Sequence, residues 1–479
     1  MPAKLSRRAF LRVSIAFATL TPIAACAPAA VPPTAAPATP PWTKPEPTSP
    51  PTEATKAPAP TAAPAAVAKP VEIRVHVFGA GSFGELMKDA YQADVDGWKS
   101  KHPNITPKIE GIDGWTDVYF PKIFALVSAG QLGDAVWQVP RMGSHLAWGA
   151  ARFNIVRPLD EIAKAMNFDL KAQYFPKVLE TSTWDGKLYY LNYCGEPAVP
   201  VIAFNKTKIE KMGLQVPAAD YTYDELADWA SKATTPDAFA YSKGHHGAGL
   251  PGESHVLRQW GAEFLNKEGK KVTLADSKPQ LVEFFRWRQN LITQKLSPPP
   301  EATADPIDTF SAEKLLSLPV WPYWFAAVQA IRVKDKFEIA WRPLPVVKKG
   351  DKRRSQLNQH VFGVTTASKN PQEAFDYLTF VCGKEYSLYG YLKANGQPNG
   401  RMDVWEDPRI DQKYPDFKLL REAMLASEID WFLANFRGPE MDDTYKNVYA
   451  QLELNKLTPE QTVDQLQEQC QAVASKEPA

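Results

Sequence analysis

Three glycines near one another form the first pattern in the sequence that could hold a ligand. Gly79, Gly81 and Gly84 follow a predicted strand, residues 71–78, in the order G-x-G-x-x-G, and a predicted helix comes next. In a dinucleotide-binding unit, such glycines let the backbone approach a pyrophosphate at the helix N-terminus. An acidic residue should then follow the second strand, and Glu110 stands somewhat later than that spacing. The pattern alone is weak evidence for NAD or FAD.

The same loop has a second interpretation, as part of a site for an uncharged solute. It follows the first strand of a predicted sheet, at the edge where α/β proteins bind ligands. We expect its free N–H groups and the side chains of Ser82 and Phe83 to face such a solute. The chain contains no G-x-S-x-G, H-E-x-x-H or Walker lysine motif. A carboxylate pair for glycoside hydrolysis stays open, because its separation is spatial and cannot be read from the sequence.

Aromatic and polar residues near predicted strand ends are the other candidates for ligand contact. Most of the 14 tryptophans should be core residues, but some could stack on the C–H faces of sugars while carboxylates and amides bind the hydroxyl groups. Trp321 and Trp324 stand in the densest aromatic cluster, where Pro319 and Pro322 exclude a helix interior, so we expect at least one ring on a loop. The remaining candidates are Trp115, Gln138, Arg141, Asn192 and Glu196.

The histidines give little support for a metal site. His245, His246 and His255 do not share one face of a helix at this spacing, and nearby Gly and Pro predict a flexible loop. His360 is expected near a hinge strand, in the core or on the surface. We expect neither a metal nor a cofactor.

Alternating strands and helices must position these residues. The first half predicts strands at 71–78, 105–109 and 134–139, with helices over 83–101 and 117–129 between them. This order is typical of a largely parallel sheet covered by helices. Capping boxes predict two later helix starts, at Thr222 with Glu225 and at Thr458 with Gln461. Asn370-Pro371 predicts a third.

The N-terminal residues read as an export and anchoring segment. Residues 6–12, SRRAFLR, form a twin-arginine signal, and the apolar stretch after them is too short to span a bilayer. Residues 23–26, IAAC, are similar to a lipobox, so we expect a signal at 1–25 and lipid on Cys26. Residues 26–70 are rich in Pro, Ala and Thr and predict a disordered tether. The folded part would then work outside the cytoplasm.

Chain length indicates the number of domains, and net charge excludes one class of function. About 410 residues follow the tether, which favours two domains. They carry 48 basic and 52 acidic side chains, so no basic field for nucleic acid is present. Besides Cys26, the chain has Cys194, Cys382 and Cys470. These allow one disulfide at most, and isolated buried thiols are favoured.

Several motifs, taken in order, resemble the extracellular solute-binding proteins of ABC importers, in the sugar-binding family of maltose-binding protein. The resemblance covers residues 71–479 and rests on KHPNITPKIE, SAGQLGDAV, WDGKLYYL, VIAFNKTKIEKMGL, TYDELADWA and SKNPQEAFDYLTF. Gly133 stands where the family usually has Pro. The family's G-K-A-A-M motif is absent from the comparable region, residues 311–324.

The resemblance implies an α/β, two-lobed periplasmic-binding-protein fold with a hinge and an interlobe ligand cleft. Lobe 1 would comprise 71–198 plus 345–395, and lobe 2 would comprise 199–344 plus 396–479. Trp260, Arg401 and Trp431 match regions that reach the cleft from lobe 2. The protein would be a monomer and not an enzyme.

The same resemblance implies a role in uptake. The protein would bind a solute, expected to be a mono- or oligosaccharide, and deliver it to ABC permease subunits from the outer face of the cell membrane. An exported oxidoreductase with a nucleotide cofactor and an anchored glycoside hydrolase are the alternatives.

Overall fold

The structure is a computed structural model. It describes residues 69–79, 83–113, 116–138, 154–171, 173–242, 250–299, 302, 304–429, 435 and 437–476. The chain divides into two units, residues 1–66 and 67–479, and the described residues all belong to the second. The signal, Cys26 and the tether up to residue 68 therefore lie outside the described residues. Among the described residues, none of the helices is both long and apolar enough to cross a bilayer.

Eleven strands lie within the described ranges. They are β1 (Val71–Phe78), β2 (Ile105–Ile112), β3 (Ala135–Gln138), β4 (Thr183–Trp184), β5 (Lys187–Leu188), β6 (Leu191–Pro197), β7 (Val201–Asn205), β8 (Ser317–Val320), β9 (Ile339–Pro343), β10 (Ser355–Val364) and β11 (Ser427–Glu428).

The α-helices of the described ranges fill the connections between these strands. In the first half they are α1 (Glu85–Gln92), α2 (Trp98–Lys101), α3 (Thr116–Ser128), α4 (Asp160–Ala165), α5 (Pro176–Ser182), α6 (Lys206–Lys211), α7 (Tyr223–Ala233), α8 (Leu250–Gln259) and α9 (Lys278–Thr293). In the second half they are α10 (Pro306–Ser311), α11 (Pro322–Ala327), α12 (Pro371–Val381), α13 (Lys384–Leu392), α14 (Met402–Trp405), α15 (Pro408–Lys413), α16 (Phe417–Leu425), α17 (Gly438–Glu453) and α18 (Pro459–Ala474). One turn of π-helix, Val328–Arg332, extends α11.

The larger sheet is mixed, with the order β11-β10-β3-β1-β2, and β6 pairs with β10 as well. β1 runs parallel to β2 and β3. β10 comes from far along the chain and runs antiparallel to β3 and β6. The carboxyl ends of β1 and β3 therefore meet at one edge of the sheet, where a strand from the distant part of the chain joins them.

A second sheet of three antiparallel strands has the order β8-β7-β9. One apolar core packs around the larger sheet. A second core packs the helices α7, α9, α17 and α18 against β7. A third core packs the other face of the small sheet against residues from α5, α13 and α16. Two separate sheets with their own cores make an α/β fold of two parts.

One predicted helix is broken in the structure. The helix expected over 83–101 divides into α1 and α2, because Asp94, Asp96 and Gly97 adopt left-handed φ angles of 50°, 62° and 66°. A glycine takes this conformation without strain, and aspartate tolerates it better than most residues. The Asp94 carboxylate also accepts hydrogen bonds from the backbone and the hydroxyl of Ser100, which stabilises the break.

The predicted helix starts are confirmed. Thr222 and Glu225 form a complete capping box before α7, and Thr458 and Gln461 form another before α18. Pro371 occupies the first turn of α12. The turn between β4 and β5 has left-handed φ angles at Asp185 and Gly186, as a two-residue hairpin requires.

Candidate functional site

Five aromatic side chains meet at the edge of the larger sheet, and we call them the strand-end cluster: Phe78, Phe83, Trp137, Tyr193 and His360. The rings of Phe78 and Trp137 stack with centroids 5.0 Å apart. Phe83 lies edge-on to Tyr193 at 6.0 Å and to His360 at 6.3 Å. His360 lies edge-on to Trp137 at 5.3 Å. The cluster is therefore one continuous set of ring contacts.

Strand register explains why these residues meet. Phe78 is the last residue of β1, and Trp137 is one residue from the end of β3, which runs parallel to it. In β10, Phe362 stands opposite Trp137, so His360 lies just beyond the end of β3. His360 in turn stands opposite Cys194 in β6, beside Tyr193. Four strands of the larger sheet, β1, β3, β10 and β6, thus bring side chains to one edge.

A buried tyrosine, Tyr119, packs against two rings of the strand-end cluster. The Tyr119 hydroxyl donates a hydrogen bond of 2.6 Å to the Trp137 carbonyl. Its ring lies edge-on to both Trp137, at 5.3 Å, and Phe78, at 6.2 Å. Burial raises the pKa of Tyr119 well above its usual value, so the hydroxyl stays protonated and keeps this bond.

A second aromatic group belongs to the small sheet. Pro322 starts α11 directly after β8, so Trp321 is the N-cap residue and Tyr323 and Trp324 lie in the first helical turn. Trp321 therefore lies on the short connection between β8 and α11, as expected for at least one ring, whereas Trp324 lies in the first turn of a helix that begins at Pro322, a position where proline is well tolerated. Trp321 is 4% exposed and packs on Ala198 and Val199.

Tyr323 packs within this second group. Its ring lies edge-on to the half-buried Trp324 at 4.9 Å. Burial raises the pKa of Tyr193, and Tyr323 is among the groups that raise it further.

Glu196 is a buried carboxylate in β6. It is 1% exposed, and its Oε1 accepts hydrogen bonds from Asn358 at 3.5 Å and Gln397 at 3.3 Å. Burial raises the pKa of the Cys194 thiol, and the charge and hydrogen bond of Glu196 raise it further. The carboxylate is thus held by neutral amide and thiol donors.

Asn192 and Arg401 join β6 to the segment 396–401. Asn192 donates to the carbonyl of Cys194 and to Gln359, and its oxygen accepts from the Gly400 N–H at 2.5 Å. Arg401 forms a bidentate pair with Asp403 at 2.9 and 2.8 Å. Both side chains already have protein partners, so a ligand contact by either residue stays a prediction.

Other predicted contact residues lie elsewhere or outside the described residues. Trp260 packs in the core around α7 and α9, with its ring 5.2 Å from Tyr223 and 6.0 Å from Phe284. The backbone of Gln138 ends β3 opposite Val361. Ser82, Trp115, Arg141 and Trp431 lie outside the described residues.

The acidic residue that a dinucleotide site would need has another role. Glu110 accepts two hydrogen bonds from Arg74, at 2.9 and 2.8 Å, and lies 3.3 Å from the Nδ1 of His76. The Arg74 side chain is the main reason that the pKa of Glu110 is lowered. His76 Nε2 accepts from the Gly133 N–H at 2.9 Å. Glu110 therefore belongs to a hydrogen-bond network that connects β1, β2 and Gly133, which lies just before β3.

Histidine and cysteine side chains do not form a metal site in the described part of the chain. His255 is buried in α8, and His245 and His246 lie outside the described residues. Cys194, Cys382 and Cys470 are free and buried, in agreement with the expectation of isolated thiols.

Sequence reasoning missed four members of the two aromatic groups. Trp137 and Tyr323 stood beside predicted residues, whereas Phe78 and Tyr193 were not singled out. Phe78 and Trp137 could have been found from their position at the ends of predicted parallel strands. Tyr193 could not, because its contact with Phe83 depends on the pairing of β6 with the distant strand β10.

Comparison with known proteins identifies the family. The model for bacterial extracellular solute-binding proteins matches residues 84–387, which is more than half of the chain. The chain belongs to this family. Its members are binding proteins, so the chain is a solute-binding protein and not an enzyme, as the resemblance implied.

Solved structures of ABC-transporter binding proteins have the same two-lobed fold. The substrate-binding protein Lmo0181 from Listeria monocytogenes, in complex with cycloalternan, is 19% identical with a TM-score of 0.69, over 84% of this chain and 98% of that one. Maltose-bound MalE3 from T. maritima is 18% identical with a TM-score of 0.67, over 83% and 98%. A protein from Agrobacterium vitis S4 with bound D-mannitol is 18% identical with a TM-score of 0.64, over 85% and 97%.

The described sheets and helices thus share the fold of these two-lobed binding proteins. The expected α/β two-lobed fold is confirmed.

Proposed function

We propose that this solute-binding protein binds a carbohydrate or polyol between its lobes and delivers it to the permease of an ABC importer. The observation that carries the proposal is the pair of aromatic groups, one at the carboxyl ends of β1 and β3 and the other where α11 follows β8. Flat rings suit the C–H faces of a sugar, and buried polar groups beside them suit its hydroxyl groups.

The polar groups of the proposed site come from residues in and around β6. Glu196 contributes a buried carboxylate, whose oxygens are acceptors of the kind that sugar hydroxyl groups bind. His360 contributes an imidazole at the rim of the strand-end cluster. Gln138 and Asn192 would complete the site, together with Ser82, Trp115, Arg141 and Trp431, which lie outside the described residues. Trp260 and Arg401 would reach the ligand from the second lobe.

The similarity of three neighbours supports the ligand class. Their bound molecules are a cyclic oligosaccharide, a disaccharide and a hexitol, all of which are rich in hydroxyl groups. We further propose that the twin-arginine signal exports the chain, that Cys26 carries lipid, and that residues 27–70 hold the lobes away from the outer face of the membrane. Lobe 1 would comprise 71–198 plus 345–395 and lobe 2 199–344 plus 396–479.

A thermal-shift screen of the fragment 69–479 tests the ligand class. The panel contains mono- and oligosaccharides, polyols, NAD and FAD. A ligand at 100 times its dissociation constant adds about 2.7 kcal/mol to the free energy of unfolding, which raises the melting temperature by several degrees. Stabilisation by a sugar or polyol, without stabilisation by the nucleotides, is the expected result.

Two variants connect the result to the cleft. Phe83→Ala and Tyr323→Ala remove one ring from each lobe and should each weaken binding of the stabilising solute. Trp184→Ala is the control, because Trp184 is an exposed aromatic on the β4–β5 hairpin. Stabilisation by NAD or FAD alone would overturn the proposal and favour the nucleotide alternative.

A further inference from the structure

A buried chain of hydrogen bonds adjoins the strand-end cluster on the opposite face of β10. The side chains of a strand alternate between its two faces, so Gln359 points away from the face on which His360 joins the cluster. Gln359 is 5% exposed and bonds to two buried side chains, Asn192 of β6 and Thr181 of α5. We call these three side chains the bulge network. They lie next to the aromatic residues of the proposed site without being among them.

Each bond of the bulge network has a fixed direction. The amide nitrogen of Asn192 donates to the Oε1 of Gln359 at 3.0 Å, and the amide nitrogen of Gln359 donates to the Thr181 hydroxyl. That hydroxyl donates to the Val178 carbonyl at 3.0 Å. The side-chain oxygen of Asn192 accepts from the Gly400 N–H at 2.5 Å. Every side-chain nitrogen and oxygen of the bulge network thus has a partner, and a fully connected buried network keeps its members in one arrangement.

The bulge network spans an irregular step in β6. His360 pairs with Cys194, and the next residue of β10, Val361, pairs with Asn192. Tyr193 is therefore an extra residue of β6, which makes a β-bulge and re-aims the side chains beside it. The amide nitrogen of Asn192 also donates to the Cys194 carbonyl at 2.8 Å. This bond joins the two residues on either side of Tyr193, so the bulge network fastens the bulge.

The bulge places two members of the strand-end cluster. Tyr193 lies edge-on to Phe83 at 6.0 Å, and His360 lies edge-on to Phe83 at 6.3 Å and to Trp137 at 5.3 Å. Without the extra residue, the register of β6 against β10 would shift by one, and side chains beyond the bulge would point to the opposite face. The ring contacts of the strand-end cluster therefore depend on the bulge network.

We propose that Gln359 and Thr181 are positioning residues for solute binding. They hold the bulge that sets Tyr193 and His360 in place, and they do not touch the solute themselves. This inference rests on the proposed function and adds to it two residues that determine affinity. A binding site loses affinity when the residues that support its contact residues leave them free to shift.

The test is calorimetric titration of the fragment 69–479. The probe is the sugar or polyol that gives the largest thermal shift in a panel containing maltose, cycloalternan and D-mannitol. Gln359→Met keeps the length of the side chain and removes both of its hydrogen bonds, so it should weaken binding by about tenfold or more.

Two substitutions of Thr181 give a milder version of the same test. Thr181→Val removes only the hydroxyl, leaves the Gln359 amide without its acceptor, and should weaken binding by a smaller factor than Gln359→Met. Thr181→Ser keeps the hydroxyl and should bind like the wild type. Because Thr181→Val is nearly isosteric, it keeps the test decisive if Gln359→Met does not fold.

Two controls separate positioning from a loss of stability. Gln356→Met removes an equally buried glutamine of β10, which bonds to Ser254 instead. Thr462→Val removes a buried hydroxyl that bonds within α18. Both controls should lower the melting temperature and leave the affinity of the fragment for the probe unchanged.

A double-mutant cycle identifies the route of the effect. In a Tyr193→Ala background the ring that the bulge positions is absent, so Gln359→Met should weaken binding by at most about threefold more. An equal loss in the wild-type and Tyr193→Ala backgrounds would overturn the proposal. It would mean that Gln359 acts on the solute or on the whole fold rather than through the bulge.

The remaining outcomes separate this proposal from the proposed function. If Gln359→Met and Thr181→Val bind the probe like the wild type, the positioning role is overturned and carbohydrate binding stands. If the wild type binds no solute of the panel, the proposed function is overturned and the positioning role fails with it.

Discussion

The imidazole of His255 makes stability depend on pH, in a direction that the structure fixes. His255 is 3% exposed in α8. Burial lowers its pKa from 6.5 to about 3, and the nearby cations Arg288 and Arg258 lower it further. The folded protein therefore keeps this imidazole neutral at any pH above about 3.

The unfolded chain behaves differently, because an exposed histidine takes up a proton near pH 6.5. Below that pH the unfolded state binds a proton that the folded state does not, so the free energy of unfolding falls as the pH falls. Each pH unit corresponds to about 1.4 kcal/mol. The unfolded histidine is half protonated at pH 6.5, so between pH 7.0 and 4.5 His255 alone should lower stability by about 2.5 kcal/mol. His76, whose pKa is also lowered by burial, acts in the same direction.

Urea denaturation of the wild type and His255→Gln at pH 7.0, 5.5 and 4.5 isolates this contribution. The variant should lose less stability over this range than the wild type, by about 2.5 kcal/mol, whatever its absolute stability at pH 7.0. His255→Leu provides a second non-titrating variant. Ser254→Ala is the control, because this neighbouring side chain is buried and does not titrate. It should follow the wild-type pH dependence.

An identical pH dependence in the wild type and both His255 variants would refute the reasoning. It would mean that the folded protein takes up the proton as readily as the unfolded chain, by solvating the imidazole or moving the two arginines away. A steeper pH dependence in the variants would be equally incompatible with a neutral buried histidine.

Four substitutions test other features of the fold by thermal or urea denaturation. Gly195→Ala should destabilise by about 3 kcal/mol or more, since a Cβ would lie 2.5 Å from the Gly400 Cα. Gly130→Ala, which meets nothing within 4 Å but has φ of +63°, should cost only about 1 kcal/mol. Thr222→Ala removes the cap of α7 and should cost about 1 kcal/mol, and equal stability would contradict the capping box. Arg258→Met should cost about 3 kcal/mol, because its guanidinium donates to the carbonyls of Glu428 and Ile429 at the end of β11; an unchanged urea midpoint would show that those carbonyls find other partners.

Local signals in the sequence predicted local structure well. The strand Val71–Phe78 and the two capping boxes agree with the structure because alternation and capping act over a few residues. The helix over 83–101 failed because left-handed residues at 94–97 interrupt an otherwise helical pattern.

The candidate site was harder to predict, since aromatic residues have the same chemistry in a core and at a cleft. Trp260 and Trp321 are both nearly buried, yet Trp260 belongs to the large core around α7 and α9, whereas Trp321 packs on Ala198 and Val199. Asn192 follows a strand at the crossover, as a ligand-binding amide would, but its hydrogen bonds tie β6 to Gly400. Local spacing does not distinguish these roles, because they depend on which distant segment packs against each residue.

The insertion of β10 between β3 and β6 is the step that assembles the strand-end cluster. Phe83 and Trp137 come from the first part of the larger sheet, Tyr193 from β6 and His360 from β10, far along the chain. The side chains of a strand alternate between two faces, so a slip of β10 by one residue would turn His360 away from Phe83 and Trp137. The irregularity between His360 and Val361 lies at this position, where the pairing with β6 shifts register. The position of His360 therefore depends on a local departure from regular pairing, which no pattern of alternation in the sequence could have revealed.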